Sequence, residues 1–231
     1  MELDRVELTA ALLRVAQGMT LVFIGLLAWL FLWSGMIQIP SLVRFGTPAS
    51  TIPALLWVGG AWNVYRTPAL TLAWKRVCGL FLIATALQLY LLPYIGWWHG
   101  VTPTAYRYFN IALFISSVLG GLLLINFIAI QVARRLQDQV LRAEAHLSLI
   151  STALVVTFLI GLLWWSVRRV SDETLRWWDI VRLLYRSSDM ARTSIGLAIL
   201  LPLLPTIAIS WEIRQRILAW IPAQGFPKEE A

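Results

Sequence analysis

The chain has 231 residues, of which 59% are hydrophobic and 13% charged, and its net charge is +7. This composition is too apolar for a soluble domain of that size. The basic excess would suggest nucleic-acid binding in a soluble protein, but here Arg and Lys flank apolar segments, where membrane topology explains them. The single cysteine, Cys78, excludes an internal disulfide and any CxxC metal or redox motif.

Six segments of 19 to 30 residues contain no Asp, Glu, Lys or Arg. About 20 apolar residues cross the roughly 30 Å hydrocarbon core as a helix. The pattern therefore predicts an all-α, polytopic membrane bundle of six transmembrane helices, in which residues 1–231 form a single domain. The uncharged segments are 15–43, 45–65, 77–106, 108–133, 145–167 and 193–211.

The second segment differs from the others because prolines crowd its start. If Thr51 caps a helix that Pro53 opens, only 13 residues remain before Arg66. We expect either a short, tilted span over 51–65 or a re-entrant hairpin that the other helices shelter from lipid.

Thr-Pro pairs precede the third and fourth helices. Thr67 and Pro68 predict the start of a helix that ends near Pro93. The fourth helix contains no proline, and we expect it to continue past Ala133 as a polar stalk over 134–145.

The fifth helix is predicted over 147–167, and the sixth starts near Thr193. Pro202 and Pro205 should kink the sixth helix, because each removes a backbone donor. The chain after Trp220 is predicted to be irregular.

Basic residues near the ends of the spans set the orientation. With six crossings, one side holds 11 Arg and Lys residues and the other holds 8, of which 6 belong to residues 168–192. Without that segment the counts are 11 and 2, whereas five crossings give 9 and 10. We therefore predict six crossings with both termini cytoplasmic, in a bacterial inner membrane or an energy-transducing membrane.

Residues 171–189 read as an amphipathic helix lying in the membrane interface. Its charged residues recur every three or four positions, opposite an apolar face, and can pair along one side. Two interpretations remain open, namely a connector that floats on lipid headgroups and a docking face for a partner subunit. The charged positions of this face are Arg176, Asp179, Arg182, Arg186 and Asp189.

The fourth helix carries Ala112, Ser116 and Gly120 at spacings of four, a pattern that lets two helix backbones approach closely. We expect this packing face to lie within the bundle, with a contact between subunits as the alternative. Gln88 and Asn126 are among the few polar residues at depth, and they are predicted to bond to neighbouring helices.

The two histidines do not predict a shared haem. His99 follows the third helix and His146 precedes the fifth, so one complete crossing separates them. We predict no cofactor; bound lipids are expected, and a single axial pigment or haem ligand from His99 is a minor alternative.

Three functions remain. No carboxylate lies at membrane depth, where pumps and ion-coupled transporters place one, and no HExxH, GxSxG or GxxxxGK[ST] motif occurs. This favours a non-catalytic integral subunit that anchors, scaffolds or assists assembly of a larger membrane complex, with other integral membrane subunits as partners. The alternatives are a small transporter or channel component with proline-broken helices, and an interfacial lipid-modifying enzyme. A site for the enzyme would gather His99, Arg107 and Asp172 outside the membrane.

Overall fold

A computed structural model describes residues 5–38, 46–68, 70–71, 73–96, 105–171 and 189–223. Within these ranges the chain is helical apart from short turns and contains no strand, so the predicted all-α class is confirmed there. Of the amphipathic helix predicted over 171–189, residues 172–188 lie outside the described ranges, while Ser171 ends α5 and Asp189 begins the last helix. The helices are α1 Arg5–Gln38, α2 Gly46–Arg66, α3 Trp74–Gly96, α4 Ala105–Leu136, α5 Gln139–Ser171 and α6 Asp189–Ala223.

Four of the described helices are long and apolar enough to cross a membrane. The stretches concerned are Arg5–Leu32, Trp74–Pro93, Ala112–Leu136 and Gln139–Gly161, which lie in α1, α3, α4 and α5. Their length and composition support the predicted membrane-spanning bundle, while the number of six crossings stays a prediction.

The helices close into a ring. Each helix packs on the next along the chain, and α6 returns to pack against α1 as well as α4 and α5. Neighbours in the ring run in opposite directions around a large apolar core, and a second, smaller cluster consists of Ala54, Leu91, Leu92 and Phe114. Trp57 on α2 and Trp74 and Phe81 on α3 are among the largest fully buried side chains of the large core.

Glycines bring α1 and α2 into backbone contact. A Cβ placed on Gly18 would lie 2.8 Å from the carbonyl oxygen of Gly60, and one on Gly60 would lie 2.7 Å from the carbonyl oxygen of Gly18. About two turns further along α1, a Cβ on Gly25 would overlap the Trp57 ring. Only glycine lets the helices approach this closely, and the short separation increases the dispersion contacts that hold membrane helices together.

The helix α2 is longer than the sequence suggested. It begins at Gly46 and runs unbroken to Arg66, and 21 residues rise about 31 Å. The short helix from Pro53 and the re-entrant hairpin are therefore both wrong. Pro48 falls in the first turn of α2, where a missing N–H costs little. Pro53 is buried with its carbonyl beside Gly25 of α1, so packing between the two helices offsets its lost backbone hydrogen bond.

The predicted stalk over 134–145 is also wrong, because α4 ends at Leu136 and α5 begins at Gln139. Gln137 adopts a left-handed conformation with φ of 57°. The amide of Asp138 then donates to the carbonyl of Ala133 at 3.1 Å, the bond that closes a Schellman motif. The carboxylate of Asp138 accepts from the amide of Leu141 at 2.9 Å and caps α5.

Two further boundaries differ from the expected ones. The Thr67 hydroxyl donates to the carbonyl of Asn63 at 3.1 Å, so it completes the end of α2 and does not cap α3, which begins at Trp74. The last helix begins at Asp189 and continues to Ala223, beyond the predicted end near Trp220.

The contact between α1 and α2 can be tested with adjacent glycines. We expect Gly60→Ala to destabilise the protein by about 1–3 kcal/mol, because the new methyl group would overlap the backbone of α1. Gly59→Ala is the matched control, since its Cβ would meet only a Leu21 methyl at 3.8 Å. Unfolding in mixed detergent micelles measures both, and equal effects would contradict a tight contact at Gly60.

Candidate functional site

The buried amide of Gln88 joins α3 to α4. Its Nε2 donates to the carbonyl of Ser117 at 3.0 Å, and both residues are buried. Gly121 makes room for this bond, because a Cβ there would lie 3.2 Å from Gln88 Nε2 and 3.4 Å from the Trp57 ring. Gln88 thus bonds across to a neighbouring helix, and its amide nitrogen is used by the bundle itself.

Asn126 joins α4 to α6 in the same way. Its Nδ2 donates to the carbonyl of Leu122 at 2.9 Å and lies 3.4 Å from the hydroxyl of Thr206. The Thr206 hydroxyl donates to the carbonyl of Pro202 at 2.7 Å. Asn126 and Thr206 have no exposed surface, so this polar contact lies wholly inside the protein.

One buried oxygen of this contact and another on α5 have no hydrogen-bond partner among the described residues. They are Oδ1 of Asn126 and Oγ1 of Thr152. Asn126 lies 11 residues before the turn at Gln137, and Thr152 lies 15 residues after it. The difference of four residues corresponds to about 6 Å along the bundle axis. Both α4 and α5 therefore place a buried polar oxygen at nearly the same depth.

The predicted packing face on α4 is divided among different surroundings. Ala112 is fully buried, and Ser116 accepts a hydrogen bond from Trp164 of α5 at 3.2 Å. Gly120 has no described atom within 4 Å of a Cβ placed on it, so close approach occurs one residue further, at Gly121. The sequence spacing identified the small residues of α4. It did not predict which neighbour each of them faces, because that depends on the rotation of α4 about its axis. An intermolecular contact at Gly120 stays a prediction.

One end of the bundle collects nearly all of the charged side chains that the structure describes. Here α1, α3 and α5 begin and α2, α4 and α6 end. We call this the charged end, and beyond it only Arg168 is a charged residue whose side chain is described. The charged residues of this end are Arg5, Glu7, Arg14, Arg66, Lys75, Arg76, Arg134, Arg135, Asp138, Arg142, Glu144, Glu212, Arg214 and Arg216.

Arg216 fastens the turn between α4 and α5 to α6. Its Nη1 lies 3.5 Å from Asp138 Oδ2, and its Nε donates to Glu212 Oε1 at 2.7 Å. The hydrogen bond to Glu212 raises the pKa of the guanidinium above its already high usual range, against the opposing effect of partial desolvation, and the nearby Asp138 adds to the rise. Asp138 therefore caps one helix and pairs with another.

A second bond ties the α2–α3 connection to α4. The Thr71 hydroxyl donates to Gln131 Oε1 at 2.7 Å. Nearby on α4, the Nε of Arg135 is buried without a partner among the described residues.

Several residues predicted to be functional lie outside the described ranges. These include His99, Asp172 and the predicted docking positions Arg176, Asp179, Arg182 and Arg186. Asp189 is the first residue of α6, but its side chain is not described. His146 lies in the first turns of α5, with Nδ1 2.6 Å from the carbonyl of Arg142. The described residues include no group of three or more His, Cys, Asp or Glu side chains arranged to hold a metal ion.

Comparison with known proteins identifies no relative, since neither a protein-family model, a characterised protein nor a solved structure matches the chain.

The two roles of Asp138 can be separated by substitution. Asp138→Ala removes the cap and the ion pair, and we expect it to destabilise the protein by about 1–2 kcal/mol. Asp138→Asn keeps a capping oxygen and loses only the partly exposed pair with Arg216, so its cost should be about 0–1 kcal/mol. Chemical unfolding compares both with Gln139→Ala, an exposed neighbour expected to be neutral. Equal losses for the two Asp138 variants would show that the cap contributes nothing.

Proposed function

We propose that this protein is a non-catalytic integral membrane subunit, with six crossings, that anchors or scaffolds a larger membrane complex. The observation that carries the proposal is the exposed face of α5. Leu147, Leu154 and Phe158 on this face are 68–71% exposed, and Ile150 and Trp165 extend it along the helix. Of the four apolar helices, α5 has the smallest share of its residues buried within the protein.

The same face carries small and hydroxyl side chains at the spacing used between membrane helices. Thr157 and Gly161 are exposed and four residues apart, and a Cβ on Gly161 would meet no described atom within 4 Å. Small residues at this spacing let another helix approach closely, and a threonine hydroxyl can bond across the contact. Lipid would cover apolar side chains equally well, but the small pair specifically favours a protein helix.

Six crossings are supported by the ring itself. At about 31 Å, α2 is long enough for the hydrocarbon core, and it lies against α1 along their glycine contacts. α6 contains the uncharged segment 193–211 and packs on three other helices. The abundance of Arg and Lys at the charged end favours a cytoplasmic location for that end and for both termini.

The two alternative functions have less support. A transport path would need polar groups that are free to meet a substrate. The amide nitrogens of Gln88 and Asn126 are bonded within the bundle, which leaves Oδ1 of Asn126 and Oγ1 of Thr152 as unpaired oxygens at depth among the described residues. The interfacial enzyme depends on His99, Arg107 and Asp172, and none of these side chains belongs to the described part of the chain.

The proposed topology is tested with fused reporters. A reporter inserted after Gln137 should read cytoplasmic, because the turn between α4 and α5 belongs to the charged end. A reporter inserted after Asp189, where α6 begins, should read extracytoplasmic. Paired alkaline phosphatase and fluorescent protein fusions measure both, and the opposite location at either site would refute the six-crossing arrangement.

The subunit role is tested by isolation in mild detergent and mass spectrometry of the retained proteins. We expect a partner at fixed stoichiometry, which Leu154→Trp on α5 should release, because a larger side chain blocks helix contact. Ile83→Trp is the matched control, since Ile83 is a similarly exposed apolar residue on α3. A stable, homogeneous monomer from the wild type would contradict the role, and equal partner loss from both variants would contradict the α5 face as the site of contact.

A further inference from the structure

Two cations and two aromatic rings form a connected group where α2 ends and α3 begins. Lys75 Nζ lies 5.1 Å from the centre of the Tyr65 ring, and the Tyr65 and Trp62 rings are 6.3 Å apart. The guanidinium of Arg66 lies 5.7 Å from the centre of the Trp62 ring. We call Trp62, Tyr65, Arg66 and Lys75 the aromatic–cation group.

The backbone holds this group in place. Lys75 Nζ donates to the carbonyl of Tyr65 at 2.8 Å, which satisfies one of the unpaired carbonyls at the end of α2. The Tyr65 ring lies over α3 one turn further on, 3.7 Å from where a Cβ on Gly79 would stand. Lys75 therefore has two further N–H donors, and its position is fixed without them.

No acid on α2, α3 or α4 balances the charges of this group, and Glu7 on α1 forms no described salt bridge with them. No Asp or Glu occurs between Glu7 and Asp138, so α2, α3 and α4 contain no acid. Neither Arg66 nor Lys75 forms a salt bridge with a described residue, whereas Arg216 on the other side of the charged end pairs with Asp138 and Glu212. The charged end thus has a side where acids balance a cation and a side where they do not.

The rings place this group at the boundary of the bilayer. Trp62 is 48% and Tyr65 37% exposed, and amphipathic rings of this kind lie at headgroup level. A ligand that approaches Arg66 and Lys75 along the membrane surface would meet two cations and two aromatic faces together. A soluble anion could use the cations, but it would gain nothing from the exposed rings.

We propose that the aromatic–cation group binds the phosphate of an anionic phospholipid. The unused N–H donors of Lys75 bond to the phosphate oxygens. The guanidinium of Arg66, on the other side of Trp62, adds electrostatic attraction for the headgroup, and the Trp62 and Tyr65 rings lie against the glycerol and upper acyl chains. Basic residues at the cytoplasmic ends of membrane helices are generally attracted to anionic lipid headgroups. This group differs because its side chains are held in a fixed arrangement and no acid on α2, α3 or α4 competes for them. The site does not depend on the proposed subunit role, and either can fail without the other.

The test uses the full-length protein in nanodiscs, with phosphatidylglycerol as the anionic probe and phosphatidylcholine as the neutral one. Native mass spectrometry measures the lipid retained by the wild type and by Arg66→Gln, Lys75→Gln and Arg76→Gln. We expect the first two variants to retain phosphatidylglycerol roughly fivefold more weakly. Arg76→Gln removes the same charge from the same helix end but outside the group, and it should change retention less than twofold.

Lys75→Arg separates a lost charge from a disturbed helix end, because it should keep phosphatidylglycerol bound. Unchanged retention in Arg66→Gln, or an equal loss in Arg76→Gln, would overturn the site in favour of diffuse attraction. Displacement of the lipid by millimolar inorganic phosphate would also overturn it, since the site would then serve a soluble anion. Equal retention of both lipids by all variants would show that the net negative charge of the headgroup is not recognised, which would overturn the proposed preference for an anionic phospholipid.

Discussion

The requirement that polar groups in a bilayer find partners inside the chain governs this structure. An unpaired backbone or amide group in hydrocarbon costs several kcal/mol. The helices satisfy the backbone, and the few amides at depth are placed where a neighbouring helix offers an acceptor, as Gln88 does at Ser117. Charged groups are moved to the ends of the helices, where water and headgroups solvate them. The interior is left with apolar contacts whose strength depends on how closely the helices approach.

That dependence explains why small residues matter more here than hydrophobicity. Lipid tails are as apolar as leucine, so burying another leucine adds little to helix association. Gly18 and Gly60 instead permit backbone contact, and Gly121 opens the space that the Trp57 ring and the Gln88 amide share. The position of Trp57 therefore depends on glycines from two other helices. A side chain at Gly121 would disturb both an apolar contact with Trp57 and the hydrogen bond of Gln88.

Much of the fold could be predicted from the sequence, because the absence of charge over about 20 residues is a direct physical requirement of a membrane helix. The errors lie where the outcome depends on tertiary contacts. Pro53 looked like a helix start, but packing against α1 keeps it inside α2. Gln137 gave no signal for a left-handed turn, since glycine is the usual residue there. The aromatic–cation group escaped notice because Lys75 meets Tyr65 only once α3 lies beside α2.

The position of α6 in the ring has a consequence for biogenesis. Residues 189–223 leave the ribosome after the other five helices, yet they pack on α1, α4 and α5. Until α6 docks, Asn126 has no Thr206 beside it, Asp138 has no Arg216, and the surface of α1 that α6 covers is exposed. The nascent five-helix intermediate therefore leaves open to its surroundings an amide and a carboxylate that α6 covers in the finished protein.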